Sequence, residues 1–175
     1  NFPFLDKYLP GVDVHVVNLA IRHQGLIVPK GNPKNIQGIQ DMTASGLRFI
    51  NRQRGAGTRI LFDDHLQQAG ISPDRIQGYD QEEYTHMAVA VNVLSGTADC
   101  GMGIYAAAKA LDLDFVPLAR ERYDLIIPSA HLEDSKVQTV LNLLQSPQFQ
   151  DKIQELGGYE THLSGKTMQP GVGLG

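Results

Sequence analysis

The sequence is poor in the residues that build small secreted frameworks and metal clusters. It has one cysteine, Cys100, which excludes an intramolecular disulfide and a cysteine-based metal cluster. A reducing compartment is compatible with that count but not required by it. Cys100 lies inside an apolar stretch and is read as a small buried hydrophobe. No apolar run is long enough to span a bilayer. Positive charge is not in surplus either: 15 Lys and Arg against 19 Asp and Glu leave a net charge of −4, which argues against direct nucleic-acid binding. No Gly-x-Ser-x-Gly elbow is present for a serine hydrolase. The chain starts at Asn1 with no initiator methionine and no signal-peptide pattern, and is expected to be a fragment or a processed product. Its 175 residues suit one domain or two small lobes and suffice for a real core.

What is present centres on Leu47–Leu66. Leu47, Phe49 and Ile50 read as a short buried strand, and from Thr58 the spacing of Ile60, Leu61 and Leu66 suits an amphipathic helix. Between them runs Asn51-Arg52-Gln53-Arg54-Gly55-Ala56-Gly57-Thr58. A glycine loop that opens a helix leaves the first N–H groups unpaired at the positive end of the helix dipole. The glycines admit close approach, Thr58 adds a hydroxyl, and Arg52 and Arg54 add charge, so the chemistry is that of an oxyanion receptor. The plainer reading is a tight connection with solvated arginines. The loop lacks the Gly-Lys-Ser/Thr of a Walker loop, and its Gly-x-Gly is not completed by the third glycine of a dinucleotide fingerprint.

Along the chain, residues 1–10 read as a connecting segment with no helical period. Val14–Ile21 and Gly25–Pro29 are β-rich, as one long bent strand or two strands with a bulge. A turn at residues 30–33 and a short helix near residues 38–43 precede the central stretch. Beyond the helix of residues 58–68, a short strand is expected over residues 75–79, a helix over 87–94, a strand over 98–104 and a helix over 105–111. This β-α-β-α-β-α order implies a parallel sheet with helices on both faces, whose ligands gather at the carboxyl ends of the strands. Two strands, residues 115–118 and 123–128, flank Arg120-Glu121-Arg122. Helices over residues 136–144 and 147–156 follow, and the glycine-rich tail from Gly157 to Gly175 is expected to be partly disordered. Asp63-Asp64-His65 reads as a solvated helix face. In Glu82-Glu83 with His86, the spacing allows a metal pair, while carboxylates complementing a helix dipole are the commoner cause.

Asn51–Arg59, Gly78-Tyr79, Glu82–His86, Ala98–Tyr105 and Glu121–Leu125 together resemble the type II periplasmic-binding-protein-like domain. The likeness is to its molybdate/tungstate-binding-like branch, found fused to molybdenum-cofactor proteins or helix-turn-helix regulators. The resemblance runs from about Phe2 to Gly165. It implies an α/β fold of two lobes around a cleft, with the N-terminal part of lobe one missing. Residues 1–14 and 128–175 would be the remainder of lobe one with the C-terminal helices, residues 15–30 and 115–127 the crossing strands, and residues 31–114 lobe two. Phosphate-binding relatives use an Arg-x-x-Gly-Ser-Gly-Thr loop, whose positions are taken here by Arg52, Gly55, Ala56, Gly57 and Thr58. Ala56 replaces the serine and removes a hydroxyl donor. Tyr105 follows an Ala-Asp-x-Gly segment, as does the tyrosine that contacts the oxyanion in periplasmic molybdate binders. Thr85 and His86, at a helix start, could join the site.

The resemblance thus implies a non-enzymatic domain that binds or senses a small oxyanion. Molybdate or tungstate would be the ligand rather than a resident cofactor, and no metal site is expected. It would be fused to, or work with, a molybdenum-cofactor or DNA-binding domain, and its parent could be a molybdenum-cofactor biosynthesis enzyme. One alternative is an accessory domain of molybdenum-cofactor biosynthesis that holds a pterin phosphate or a partner. Another is an organic-effector domain of a transcription regulator. A cytoplasmic location is the first expectation and a periplasmic one the second.

Overall fold

The computed structural model describes residues 2–170. The chain divides into two compact units, residues 1–22 with 120–175, and residues 23–119. Strand β1 (Val14–Val28) and strand β5 (Asp114–Pro128), each of 15 residues, run through both. β1 is the single long strand of the two expected forms. β5 is also continuous where two strands flanking Arg120-Glu121-Arg122 were expected. The charges in that run are held laterally, Arg120 on Glu160 at 2.6 Å and Glu121 on Arg22, so the backbone has no need to break.

Residues 23–119 carry the β-α-β-α-β-α unit. Its elements are β2 (Phe49–Arg52), α2 (Gly57–Gln68), β3 (Glu82–Glu83), α3 (His86–Leu94), β4 (Cys100–Ile104) and α4 (Tyr105–Ala110). β2 pairs in parallel with both β3 and β4, while β4 lies antiparallel to the second half of β1, Gln24 opposite Ile104. β4 shows how two helix layers close on one sheet. Cys100 and Met102 point into the cluster built on Phe49, Phe62 and Leu66, while Ile50, Val89 and Ala108 form the cluster on the other face. Gly101 supplies the room there: a Cβ on it would stand 2.5 Å from the Val89 side chain and 2.7 Å from the Ile50 carbonyl. Helix α2 ends where Gly70 takes φ +66 and Ile71 N–H bonds the Leu66 carbonyl at 2.9 Å, which satisfies the last carbonyls.

The strand expected over residues 75–79 is displaced. Pro73–Arg75 is a 3-10 turn, and the run beside β2 starts where the Gln77 carbonyl accepts from Phe49 N–H at 2.8 Å. Only Glu82–Glu83 is regular strand.

In the other unit, α1 (Phe2–Tyr8) is a helix where a connecting segment was expected. Its 7 residues are too few for a helical period to show in the sequence. Helices α5 (Ser135–Leu144) and α6 (Pro147–Leu156) pack Leu141, Leu144 and Phe149 with Val17 and Ile127. β6 (Tyr159–Glu160) pairs with β1 at Ile21 and Arg22. The segment that follows is ordered rather than disordered as far as Met168, whose N–H bonds the Val16 carbonyl at 2.7 Å. The part of that expectation on residues 171–175 lies outside the described residues. Among the described residues no helix is long and apolar enough to cross a membrane.

Candidate functional site

All eight residues singled out in the sequence lie in the unit of residues 23–119, at or just past the carboxyl ends of β2, β3 and β4. β2 is buried along its length. Beyond it the chain turns through Gly55, at φ +86, and Ala56 N–H bonds the Gln53 carbonyl at 3.1 Å. Ala56 is the N-cap of α2, in extended conformation, and offers no side-chain cap. Within α2 the first N–H to bond back is that of Ile60, to the Ala56 carbonyl at 3.0 Å. The amides of Gly57, Thr58 and Arg59 therefore have no partner within the helix. A Cβ on Gly55 or Gly57 would meet nothing within 4 Å, so the space against this turn is open.

The helices with a side-chain cap differ. Thr85 accepts from Ala88 N–H at 3.0 Å at the start of α3. Asp134 and Ser146 cap α5 and α6 in the same way. Thr85 is thus first an N-cap, whose hydroxyl still has its own hydrogen to give.

Arg52 is buried, and its fork holds the next strand-to-helix connection in place. Nε donates to the Glu83 carbonyl at 3.2 Å and Nη2 to the Tyr84 carbonyl at 3.0 Å, while Nη1 lies 3.0 Å from His86 Nδ1. An arginine can only donate, so Nδ1 is the acceptor and the His86 proton sits on Nε2. Arg52 and His86 are therefore brought together with each other, and Arg52 grips the connection between β3 and α3.

Arg59, not singled out in the sequence, is 4% exposed on its side chain. It lies over the Tyr79 ring at 4.1 Å, between Asp63 and Glu82 at 3.3 Å each. Burial, helped by the hydrogen bond to Asp63 and opposed by Arg59, leaves the Tyr79 hydroxyl above its usual range. This network also accounts for Asp63, while Asp64 accepts from Gln68 and Glu83 from Asn92. Arg54 is exposed, 3.5 Å from Asp80.

Thr58 is buried, and its hydroxyl donates to Gln24 Oε1 at 2.6 Å. Gln24 is fully buried, and its Nε2 finds no partner among the described residues. Sequence reasoning passed over it as part of Arg22-His23-Gln24, an interruption between two β-rich segments. The available signal was a polar residue inside a run that has to be buried. Opposite Gln24 lies Ile104, and the next residue, Tyr105, is 37% exposed with its ring edge-on to Phe115 at 5.4 Å. A hollow of about 480 Å³ elsewhere in this unit is lined by Asp74, Asp80 and Gln81 among others. Its two carboxylates make it the wrong lining for an anion.

The family described as PBP superfamily domain matches residues 1–145. The uncharacterized protein YvgK of Bacillus subtilis (strain 168) is 38% identical over 168 residues, which is 96% of this chain and 54% of YvgK. The chain thus spans about half the length of that curated relative. Among solved structures, the tungstate ABC transporter from Geobacter sulfurreducens superposes with a TM-score of 0.63 at 14% identity, over 88% of this chain and 73% of that one. An ancestral amino acid-binding protein, a precursor of cyclohexadienyl dehydratase, gives 0.60 at 16% identity, over 87% of this chain and 63% of that one. The expected α/β fold of the type II periplasmic-binding-protein-like class is the one found.

Proposed function

The chain belongs to the PBP superfamily of ligand-binding domains, and on that premise we propose that it binds a small tetrahedral oxyanion of the molybdate and tungstate class at the first turn of α2. The observation that carries this reading is the start of α2 itself. The helix is 12 residues long, begins on an alanine with no side-chain cap, and faces open space at Gly57. An anion in that space would be the missing cap, receiving the amides of Gly57, Thr58 and Arg59 at the positive end of the helix dipole. Arg52 adds charge from behind the loop. Tyr105 and Thr85 follow β4 and β3, the strands on either side of β2, and would add hydroxyl donors, while His86 keeps Arg52 in register.

Magnitudes limit what this turn does alone. A hydrogen bond to a charged group contributes about 1.5–3 kcal/mol, so three amides supply roughly 5–9 kcal/mol. A micromolar complex needs about 8 kcal/mol after ordering costs. Tight binding therefore requires further donors beside the helix.

The decisive variant is Ala56→Asp. An aspartate at the N-cap accepts the first-turn amides itself and stabilises the helix by about 1 kcal/mol. The expected outcome is a protein that melts higher and no longer takes up tungstate or molybdate in isothermal titration. Titration of the unaltered chain with tungstate, molybdate, phosphate and a set of amino acids decides the ligand class. Heat with an amino acid and none with any oxyanion would replace this reading by the organic-effector one. A pterin phosphate that outcompetes tungstate would favour the role in cofactor assembly. We further propose a cytoplasmic setting beside an attached molybdenum-cofactor or DNA-binding domain, tested by fractionation of the native host and by pull-down of the whole protein.

A further inference from the structure

We infer that Gln24 is a ligand-contacting residue: its carboxamide, buried against the first turn of α2, donates N–H to the bound anion. This rests on the oxyanion reading above and deepens it. Gln24 is fully buried, and among the described residues its side chain makes one bond, which it accepts from Thr58 at 2.6 Å. Both hydrogens on Nε2 are left without a partner among the described residues. Buried amide groups are almost always paired, because leaving one unpaired forfeits its hydration with nothing in return. A residue wanted only for packing would serve better as methionine or leucine, which fill similar space and strand no donor.

The position of the amide says where its partner belongs. Thr58 is the second residue of α2, so a group 2.6 Å from its hydroxyl lies at the helix start that no side chain caps. Oxygen and nitrogen of a carboxamide can be exchanged, and the conclusion survives the exchange. With Oε1 on Thr58, two N–H hydrogens remain to be given. With Nε2 on Thr58, one N–H and the threonine hydrogen remain. Either way the pair turns donors toward the turn, which adds the bonds that the three helix amides lack.

The same inventory selects the protonation state of the ligand. In the orientation with Oε1 on Thr58, the helix amides and the Gln24 N–H are all donors, and the Gln24 oxygen already accepts the threonine hydrogen. A hydrogen phosphate carries an O–H that needs an acceptor, whereas molybdate, tungstate and sulfate at neutral pH have only acceptors. The site is therefore matched to fully ionised tetrahedral dianions.

Titration of the full chain with sodium tungstate tests this, alongside Gln24→Met and Gln24→Glu. Methionine removes the donor and keeps the volume. Glutamate still accepts from Thr58 but turns the donor into an acceptor. The expected results are about tenfold weaker binding or worse for Gln24→Met and no binding for Gln24→Glu, with both variants melting cooperatively. In the unaltered chain, the Gln24 side-chain amide resonances, identified by their loss in Gln24→Met, should shift on adding tungstate, a readout independent of how the variants fold. Phosphate should bind about tenfold more weakly than tungstate. Gln24→Met binding as tightly as the unaltered chain, amide resonances unmoved at saturation, or phosphate binding equal to tungstate would each overturn the inference and leave the oxyanion reading standing. No tungstate binding by the unaltered chain would overturn both.

Discussion

Asp99 shows how one side chain anchors the sheet that carries the site. Its carboxylate accepts from Arg48 N–H at 2.8 Å and from the Arg48 guanidinium at 2.8 and 3.2 Å, while Asp99 N–H bonds the Arg48 carbonyl at 2.8 Å. The two residues lie just before β2 and β4, so they fix the register of the parallel pair. The hydrogen bond from Arg48 holds the Asp99 carboxyl below its usual range, against an opposing effect of burial. A lowered folded value gives stability that is fully present above the unfolded carboxylate's value, about pH 4, and is lost as pH falls through the folded value. Because Arg48 is 45% exposed on its side chain, screening keeps the contribution to about 1 kcal/mol. Urea unfolding at pH 7 and at pH 2 should therefore show Asp99→Asn less stable by about that amount at pH 7, with a smaller deficit at pH 2. An equal deficit at both values would mean that the carboxylate's charge does no work.

At the scale of elements, glycines in equivalent-looking places do different jobs. Gly101 lets α3 close on the sheet, since a Cβ there would stand 2.5 Å from the Val89 side chain and 2.7 Å from the Ile50 carbonyl. Gly57 faces open space. Gly101→Ala should cost about 1–3 kcal/mol in chemical unfolding, as overpacking does. Gly57→Ala should leave unfolding nearly unchanged while weakening tungstate uptake, because its methyl enters the ligand's space. The reverse pattern would remove the case for an open turn at α2. The glycine-marked loop was legible because an apolar strand, two glycines and a helical period follow one another locally. Helices α2, α3, α5 and α6 were legible for the same reason. β3 was not, since most of its pairing with β2 is made by irregular backbone from Gln77 onward. Gln24 was hidden for a different reason: its partner Thr58 is 34 residues away, and no local pattern tells which buried polar side chain is left half-satisfied.

For the whole molecule the question is how a chain of net charge −4 would attract the proposed dianion. Its long-range field opposes approach, so attraction has to come from groups within a few ångströms of the bound oxygens. Two sources are available in the unit of residues 23–119. One is the buried set: the α2 amides, Gln24 and the charge of Arg52. The other is the exposed cation of the α2 loop, Arg54, 79% exposed on its side chain. Salt separates them. Raising ionic strength from about 0.01 to 0.15 M shortens the screening length from about 30 to 8 Å, which relaxes the repulsion from the net charge and weakens surface attraction, but barely touches short buried bonds. Binding by the buried set should give a tungstate affinity that is flat or slightly stronger across that range in sodium chloride, with any change in the association rate. Binding by Arg54 and its neighbours should instead weaken steeply, and Arg54→Gln should abolish the dependence. Titrations at the two salt concentrations, on the unaltered chain and on Arg54→Gln, therefore decide whether the ligand is held inside the first turn of α2 or merely collected at its rim.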